Sequence, residues 1–353
     1  MSYYLLFIFA SFISLFENRR KLLSVVLIVV LALFAGSRYY IDSDYSLYYN
    51  YFIYTEKSAV DFMNRPLALE WCMYFFPNLF RFFFDHRQSV AFASFMLFSF
   101  LGVGFKIAAI QKYSGFFFLS VILYVSNLFF IMEMTTIRAG VAAGIFLFGL
   151  QYLEKRQHWK FLITLLCCLF FHSSGIVYVL VWALITARTK LKYYYIILAA
   201  SVGIMILKVN ILSLLLLDRV FPRVKIYFEI MQWQKEKSVN IFNFRVLFAL
   251  VIIVSFMGFY RKLKNKPYFD LLFKTHLLSV SLFFAFSNLS QVFSLRTFDM
   301  FSVVQILLYP MFIYIFSPAL KIWGWVIIIL FSMLQIYYFV EVSEIFKVYR
   351  SWL

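Results

Sequence analysis

Long apolar runs separated by short polar turns dominate the chain. They fall at about 2–16, 22–37, 88–110, 115–132, 134–152, 161–186, 192–208, 242–260, 268–287, 298–316 and 322–341. None alternates polar with apolar positions as a half-buried strand would. Each is close to the length that crosses a hydrocarbon core of about 30 Å. Backbone groups cannot stay unpaired in lipid, so these runs predict helices. The pattern therefore predicts an all-α polytopic integral membrane protein with about 10–12 transmembrane helices. All 353 residues form a single multi-pass domain in this reading, with outer loops at about 38–87 and 209–241 and amphipathic helices on the outer face.

Composition supports this. Of the residues, 64% are hydrophobic, with 48 Phe and 25 Tyr, and the mean hydropathy is +0.86. A soluble core does not need such a composition. The first run has neither a basic start nor a small-residue cleavage site, so it reads as a retained anchor. The formal charge is +17. It is scattered in short clusters between apolar runs, which is how helices are oriented in a bilayer and not how nucleic acid is bound.

Lys and Arg mark the cytoplasmic turns. These turns are Arg19–Lys21, Lys106 with Lys112, Lys155-Arg156 with Lys160, Arg188/Lys190/Lys192, and Arg261 to Lys266. The third and fourth flank one apolar run, 161–186, and a single crossing would put one of them outside. The simplest repair is a re-entrant hairpin. Its tip lies near His172, because a helix from Phe161 to His172 rises roughly 17 Å. The alternative is an ordinary helix there and an extra crossing supplied by 67–84. In either case the cytoplasmic turns are nearly free of acids, and function is expected on the outer face.

Three polar groups stand out in this apolar background. Ionisable residues inside apolar sequence are costly and mark function by default. Gly36–Tyr49 carries Arg38, Asp42, Asp44, Tyr45 and Tyr48. It reads either as an interfacial belt or as a polar site for sugar hydroxyls and phosphate. Arg138 opens a helix rich in Ala and Gly, held there by a phosphate or by a carboxylate such as Glu133. His172 is followed by Ser173 and Ser174. It is either a hydrogen-bonded structural residue or a catalyst. Arg296 precedes a further apolar run. Arg223 and Tyr227 lie in the basic aromatic loop 209–241, which an amphipathic surface helix would also explain. No metal motif is present, and Cys72, Cys167 and Cys168 have no ligand spacing.

The ordered set resembles the EpsG-like branch of Wzy polysaccharide polymerases. The matching stretches are G-x-R-Y-x-x-D-x-D-Y-x-x-Y at Gly36–Tyr48, Glu70, and T-x-x-R-x-G-x-A-x-G at Thr135–Gly144. F-H-S-S at Phe171–Ser174 follows, and then the Arg296 helix ending near Pro310. The resemblance implies a metal-independent glycosyltransferase without a cofactor, in the bacterial inner membrane. It would join undecaprenyl-pyrophosphate-linked repeat units into O-antigen, capsule or exopolysaccharide at the outer face. Arg138 and Arg296, with Arg38, are then expected to hold the donor pyrophosphate. His172 or Asp44 would act on the acceptor hydroxyl. Asp42, Tyr45, Tyr48, Glu70, Ser173, Arg223 and Tyr227 would bind substrate. Partners implied are the lipid-linked donor and acceptor, membrane lipid, a Wzz-type chain-length regulator and a Wzx-type flippase, and no nucleic acid. A flippase should show paired inverted halves, which the sequence lacks. An O-antigen ligase usually has a His in a large late loop, and 209–241 has none.

Overall fold

In this computed structural model the described residues are 1–64, 70–211, 239–289, 291–343 and 345–353. The side chains of Gln291 and Val292 are not among them. Among the described residues every regular element is helical, apart from one isolated bridge between Arg38 and Ser351. Five helices are long and apolar enough to cross a membrane, or six if one bent pair is a single span. The chain is thus an all-α, multi-pass membrane protein. Shorter apolar helices account for other runs in the hydrophobic pattern, including Ser2–Ser14, Phe117–Leu128, His158–Phe171, Ser173–Thr186 and Leu191–Ile206. The chain divides into two compact units, one of Met1–Thr186 with Tyr309–Leu353 and the other of Ala187–Leu308.

The first unit contains α1 (Ser2–Ser14), α2 (Arg20–Gly36), α3 (Tyr45–Ile53), α4 (Ala59–Met63) and α5 (Cys72–Phe80). It continues with α6 (Arg87–Tyr113), α7 (Phe117–Leu123), α8 (Ile137–Glu154), α9 (His158–Phe171) and α10 (Tyr178–Thr186). At its centre α6 packs against both α2 and α8, and α8 packs against α9. Small residues permit these contacts. A Cβ added at Gly149 would collide with the side chain of Thr164 on α9. Close backbone approach of this kind is what small residues contribute in apolar surroundings, where dispersion replaces the hydrophobic drive.

The apolar run 161–186 breaks in the middle. Helix α9 ends at Phe171, His172 is extended, and Ser173–Val177 forms a 3-10 turn before α10. At the far ends, Thr186 Oγ1 and His158 Nδ1 are 3.3 Å apart. The two helices therefore form a hairpin with adjoining feet and with His172–Gly175 at the tip. Phe146 of α8 stacks on Tyr178 of α10 with ring centroids 3.8 Å apart, which fixes the second arm. Among the described residues of the competing crossing at 67–84, no helix is long enough to make it. Helix α5 has only nine residues, a rise of roughly 14 Å, and it contains Pro77.

One expected turn is relocated. Lys106 does not lie in a basic loop but inside α6, fully buried, and its Nζ donates to Glu133 Oε1 and to the Gly140 carbonyl at 2.6 Å each. Glu133 lies in a π-helical stretch, Phe130–Thr135, that links α7 to α8. The stretch adds a residue per turn and ends at Thr136, whose N–H reaches back to Ile131 at 2.8 Å. Such bulges are frequent at functional sites. This one sets where α8, and with it Arg138, begins.

The chain's last residues return to the end of α2. Tyr39 N–H donates to the Arg350 carbonyl at 2.9 Å, and Trp352 N–H to the Ser37 carbonyl at 3.0 Å. Trp352 stacks on Phe92 of α6, with centroids 4.4 Å apart. Arg38 is closed off beneath this strap.

The second unit, taken by itself, contains α11 (Leu191–Ile206), α12 (Phe244–Leu263), α13 (Phe269–Phe286), α14 (Gln291–Ser302) and α15 (Gln305–Leu308). Helix α13 is its core element and contacts α11, α12 and α14. Asn288 Nδ2 donates to the carbonyls of Ile204 and Met205 at 3.0 and 3.3 Å, supplying donors to the end of α11. Those carbonyls have no partner within their own helix.

Candidate functional site

The site is organised by one carboxylate. Glu70 lies two residues before α5, and two elements bring donors to it. The hairpin tip supplies His172 Nδ1 at 3.0 Å, Ser173 N–H at 2.9 Å and Ser173 Oγ at 2.9 Å, all to Oε1. The start of α8 supplies Arg138 Nη1, which forms an ion pair with Oε2. Helix α3 supplies Tyr48, whose ring centroid lies 5.6 Å from the Arg138 guanidinium carbon. Antiparallel packing explains the meeting. Helix α9 runs back along α8, so its C-terminal tip returns to the N-terminal end where Arg138 sits.

Local chemistry holds the tip in place. A helix leaves its last carbonyls without internal partners. Cys72 Sγ donates to the Phe171 carbonyl at 3.4 Å, and Phe76 stacks on Phe171 at 5.9 Å. Helix α5 is thereby pinned to the hairpin one turn beyond Glu70.

Burial raises the pKa of the Glu70 carboxyl, but the hydrogen bond from His172, the Arg138 charge and the Ser173 N–H outweigh it. The net result holds the group well below the usual carboxylate range. Glu70 is therefore an anion at neutral pH and an acceptor only. An acceptor-only carboxylate fixes a proton on His172 Nδ1, so that in the neutral imidazole the lone pair is on Nε2. A carboxylate that fixes the tautomer and orientation of an imidazole is the arrangement that prepares a general base. The His172 side chain is 18% exposed and that of Arg138 14%, against 7% for Glu70. The orienting acid is covered while the two groups that could meet a ligand remain reachable.

The sign of the pH effect follows. Because the folded pKa of Glu70 lies below its unfolded value, its stabilisation is complete above the unfolded value of about 4.3. It declines progressively as pH falls from there toward the depressed folded value. Purified wild-type protein is therefore expected to show a falling thermal midpoint as pH drops below about 5. Glu70→Gln is expected to lower the midpoint at neutral pH and to remove this part of the acid dependence. Parallel pH–melting curves for the two proteins would sink the assignment.

Other sequence-derived candidates are placed differently. Arg38 is revised from a phosphate ligand to an interior residue. It is fully buried, and it donates to Asp42 Oδ2 at 2.9 Å and to the Ala35 carbonyl at 2.8 Å, with Phe95 4.9 Å beneath it. Asp42 is revised with it, since its side chain is closed to solvent against Arg38. Tyr45 is revised as well, because it is fully buried and stacks on Phe95 at 4.8 Å. Ser173 commits both donors to Glu70. Asp44 is partly exposed and precedes α3, one turn from Tyr48, whose N–H bonds its carbonyl at 3.1 Å. Glu133, the sequence-level candidate partner for Arg138, pairs instead with Lys106 and accepts from Tyr124 at 3.0 Å. Arg296 is exposed on α14 of the second unit, one turn before Asp299, which pairs with Arg245. Arg223 and Tyr227 lie outside the described residues. Among the described residues no three His, Cys, Asp or Glu side chains are grouped to hold a metal.

The central role of Glu70 was under-read in the sequence. Its signal was available, as a lone acid within the apolar stretch Leu67–Phe76. A charge so placed needs a cationic partner.

A model of the EpsG family matches residues 21–351 of the 353-residue chain, and the chain belongs to that family. No curated protein and no solved structure matches it. Family membership points in general to a role of the polysaccharide-polymerase type.

Proposed function

We propose that the chain is a polymerase of lipid-linked oligosaccharide repeat units, working at the outer face of a bacterial inner membrane. The donor is a glycan on undecaprenyl pyrophosphate, and the acceptor is a sugar hydroxyl of a second lipid-linked unit. A Wzx-type flippase would deliver those units and a Wzz-type regulator would set chain length. The observation that carries this reading is the His172 imidazole, oriented by Glu70, beside the Arg138 guanidinium.

The acceptor oxygen attacks the anomeric carbon of the donor. The bond from that carbon to the pyrophosphate oxygen breaks, and the acceptor proton passes to His172 Nε2. Charge develops on the departing pyrophosphate. A guanidinium already in place stabilises such charge without reorganisation, and its planar fork fits phosphate oxygens. Arg138 is the cation at the site for this task. Tyr48 lies against the Arg138 guanidinium, and Asp44 would orient the acceptor.

The test is surface polysaccharide from a deletion strain. Loss of the gene is expected to leave single repeat units and no ladder, and the wild-type gene to restore it. Arg138→Lys keeps the charge but loses the fork. It is expected to reduce chain extension about 100-fold or more, at undiminished protein level. A deletion strain lacking even single repeat units would favour a flippase or ligase, and an unchanged ladder would remove the reading altogether.

A further inference from the structure

A cavity of about 440 Å³ lies away from the Glu70 cluster, along the other end of α5. It is lined by Lys57, Tyr74, Phe75, Asn78, Leu79, Arg81 and Phe82. The polar side chains of Tyr74, Asn78 and Arg81 are bonded within the protein. Tyr74 donates its hydroxyl to the Lys57 carbonyl at 3.0 Å. Asn78 Nδ2 donates to the carbonyls of Glu56 and Tyr74 at 2.9 Å each. Arg81 donates to Asn78 Oδ1 at 2.8 Å and to the Thr55 carbonyl at 2.7 Å. These acceptors are neutral, so the bonds place the guanidinium without cancelling its charge. The cavity thus offers an occupant apolar surface and positive potential, with few directed hydrogen bonds.

Charge and position identify the occupant. Lys57 and Arg81 line the cavity, and the Arg87 charge acts on Arg81 with the Glu56 carboxylate opposing it, which leaves a net positive edge. Arg87 is the first residue of α6, a membrane-crossing helix, so 81–87 lies where that helix leaves the bilayer. Next to the cavity, Phe82 is 85% and Phe83 71% exposed, a surface that lipid covers at no cost and water does not. Basic residues beside apolar ones at this level recognise anionic headgroups.

We infer that this cavity seats an anionic phospholipid of the surrounding bilayer. Its phosphate lies against Lys57 and Arg81, and its chain lies along Phe75, Leu79 and Phe82. A bulk lipid is held in this way, by charge and apolar contact. A reacting pyrophosphate needs directed donors, and those converge at Arg138 instead. The inference does not depend on the polymerase reading.

Full-length protein in detergent would be mixed with equal amounts of phosphatidylglycerol and phosphatidylcholine, and retained lipid read by native mass spectrometry. Phosphatidylglycerol is expected to be retained preferentially. Lys57→Gln is expected to reduce that retention about fivefold, the equivalent of one interfacial charge, and Lys57→Glu further, with phosphatidylcholine unaffected. Lys57 is exposed and its side chain is not part of the hydrogen-bond set, so these variants keep the fold. Phe82→Ser should weaken both lipids together. Equal retention of the two lipids, unchanged retention in both Lys57 variants, or displacement of phosphatidylglycerol by an equimolar polyprenyl phosphate would overturn the inference.

Discussion

His172→Ala is expected to abolish long-chain polysaccharide while the protein still accumulates in the membrane. A positioned base contributes about 10²–10⁴-fold to a transfer of this kind, enough to erase a ladder that depends on many successive additions. The side chain lies at a hairpin tip and is 18% exposed, so its loss leaves no large cavity. Backbone anchoring of the tip persists through the Ser173 N–H and the Cys72 bond to the Phe171 carbonyl. Glu70→Gln should produce the same loss of activity for a different reason. The amide does not fix the imidazole tautomer, and it leaves the Arg138 charge unneutralised in a mostly covered site. Combining the two changes should cost little more activity than either alone, because the residues act as one unit. Normal ladders from His172→Ala, or strictly additive losses in the double variant, would contradict the dyad. Blotting for protein level and a melting curve separate catalytic loss from unfolding, which is expected for Glu70→Gln only.

Breaking the Lys106–Glu133 pair is expected to give the largest loss of stability. Both side chains are essentially inaccessible, at 0% and 1% exposure, and they form a salt bridge with each other. Lys106→Met leaves an uncompensated carboxylate inside the helix bundle, a cost of about 3–5 kcal/mol. Glu133→Leu strands the ammonium with equal effect. The paired replacement, Lys106→Met with Glu133→Leu, is expected to recover most of the lost stability, since an apolar pair of similar volume needs no desolvation. Activity should not recover with it. Lys106 Nζ also holds the Gly140 carbonyl at 2.6 Å, in the first turn of α8 two residues beyond Arg138. Without that bond the helix start, and the angle at which Arg138 meets Glu70, are no longer fixed. Thermal unfolding in detergent and ladder gels on the same three proteins test this. Single variants as stable as wild type, or a double variant no better than the singles, would count against it.

Some of this was legible before any coordinates. Arg138 and His172 were conspicuous because a charge or an imidazole in apolar sequence has few bland explanations. The hairpin was legible because two basic turns flanked one apolar run. Arg38, Asp42 and Tyr45 misled, because their spacing equally suits a buried i,i+4 ion pair under an aromatic cover. Lys106 misled because a lysine near the end of an apolar run counts as a turn marker when its depth is unknown. Nothing local distinguished Glu133 from Glu70 as the partner of Arg138.

By itself, then, the sequence determined the solvent and the secondary structure. Its continuous apolar runs demand lipid, and lipid demands helices that satisfy their own backbones. It also determined which polar residues were too costly to be incidental. Only the tertiary structure decided the pairings, because an ion pair is chosen by which helix ends meet. That depends on the π-helical stretch that sets the start of α8, the small residues that let α9 run back along it, and the break at His172 that turns the chain over Glu70.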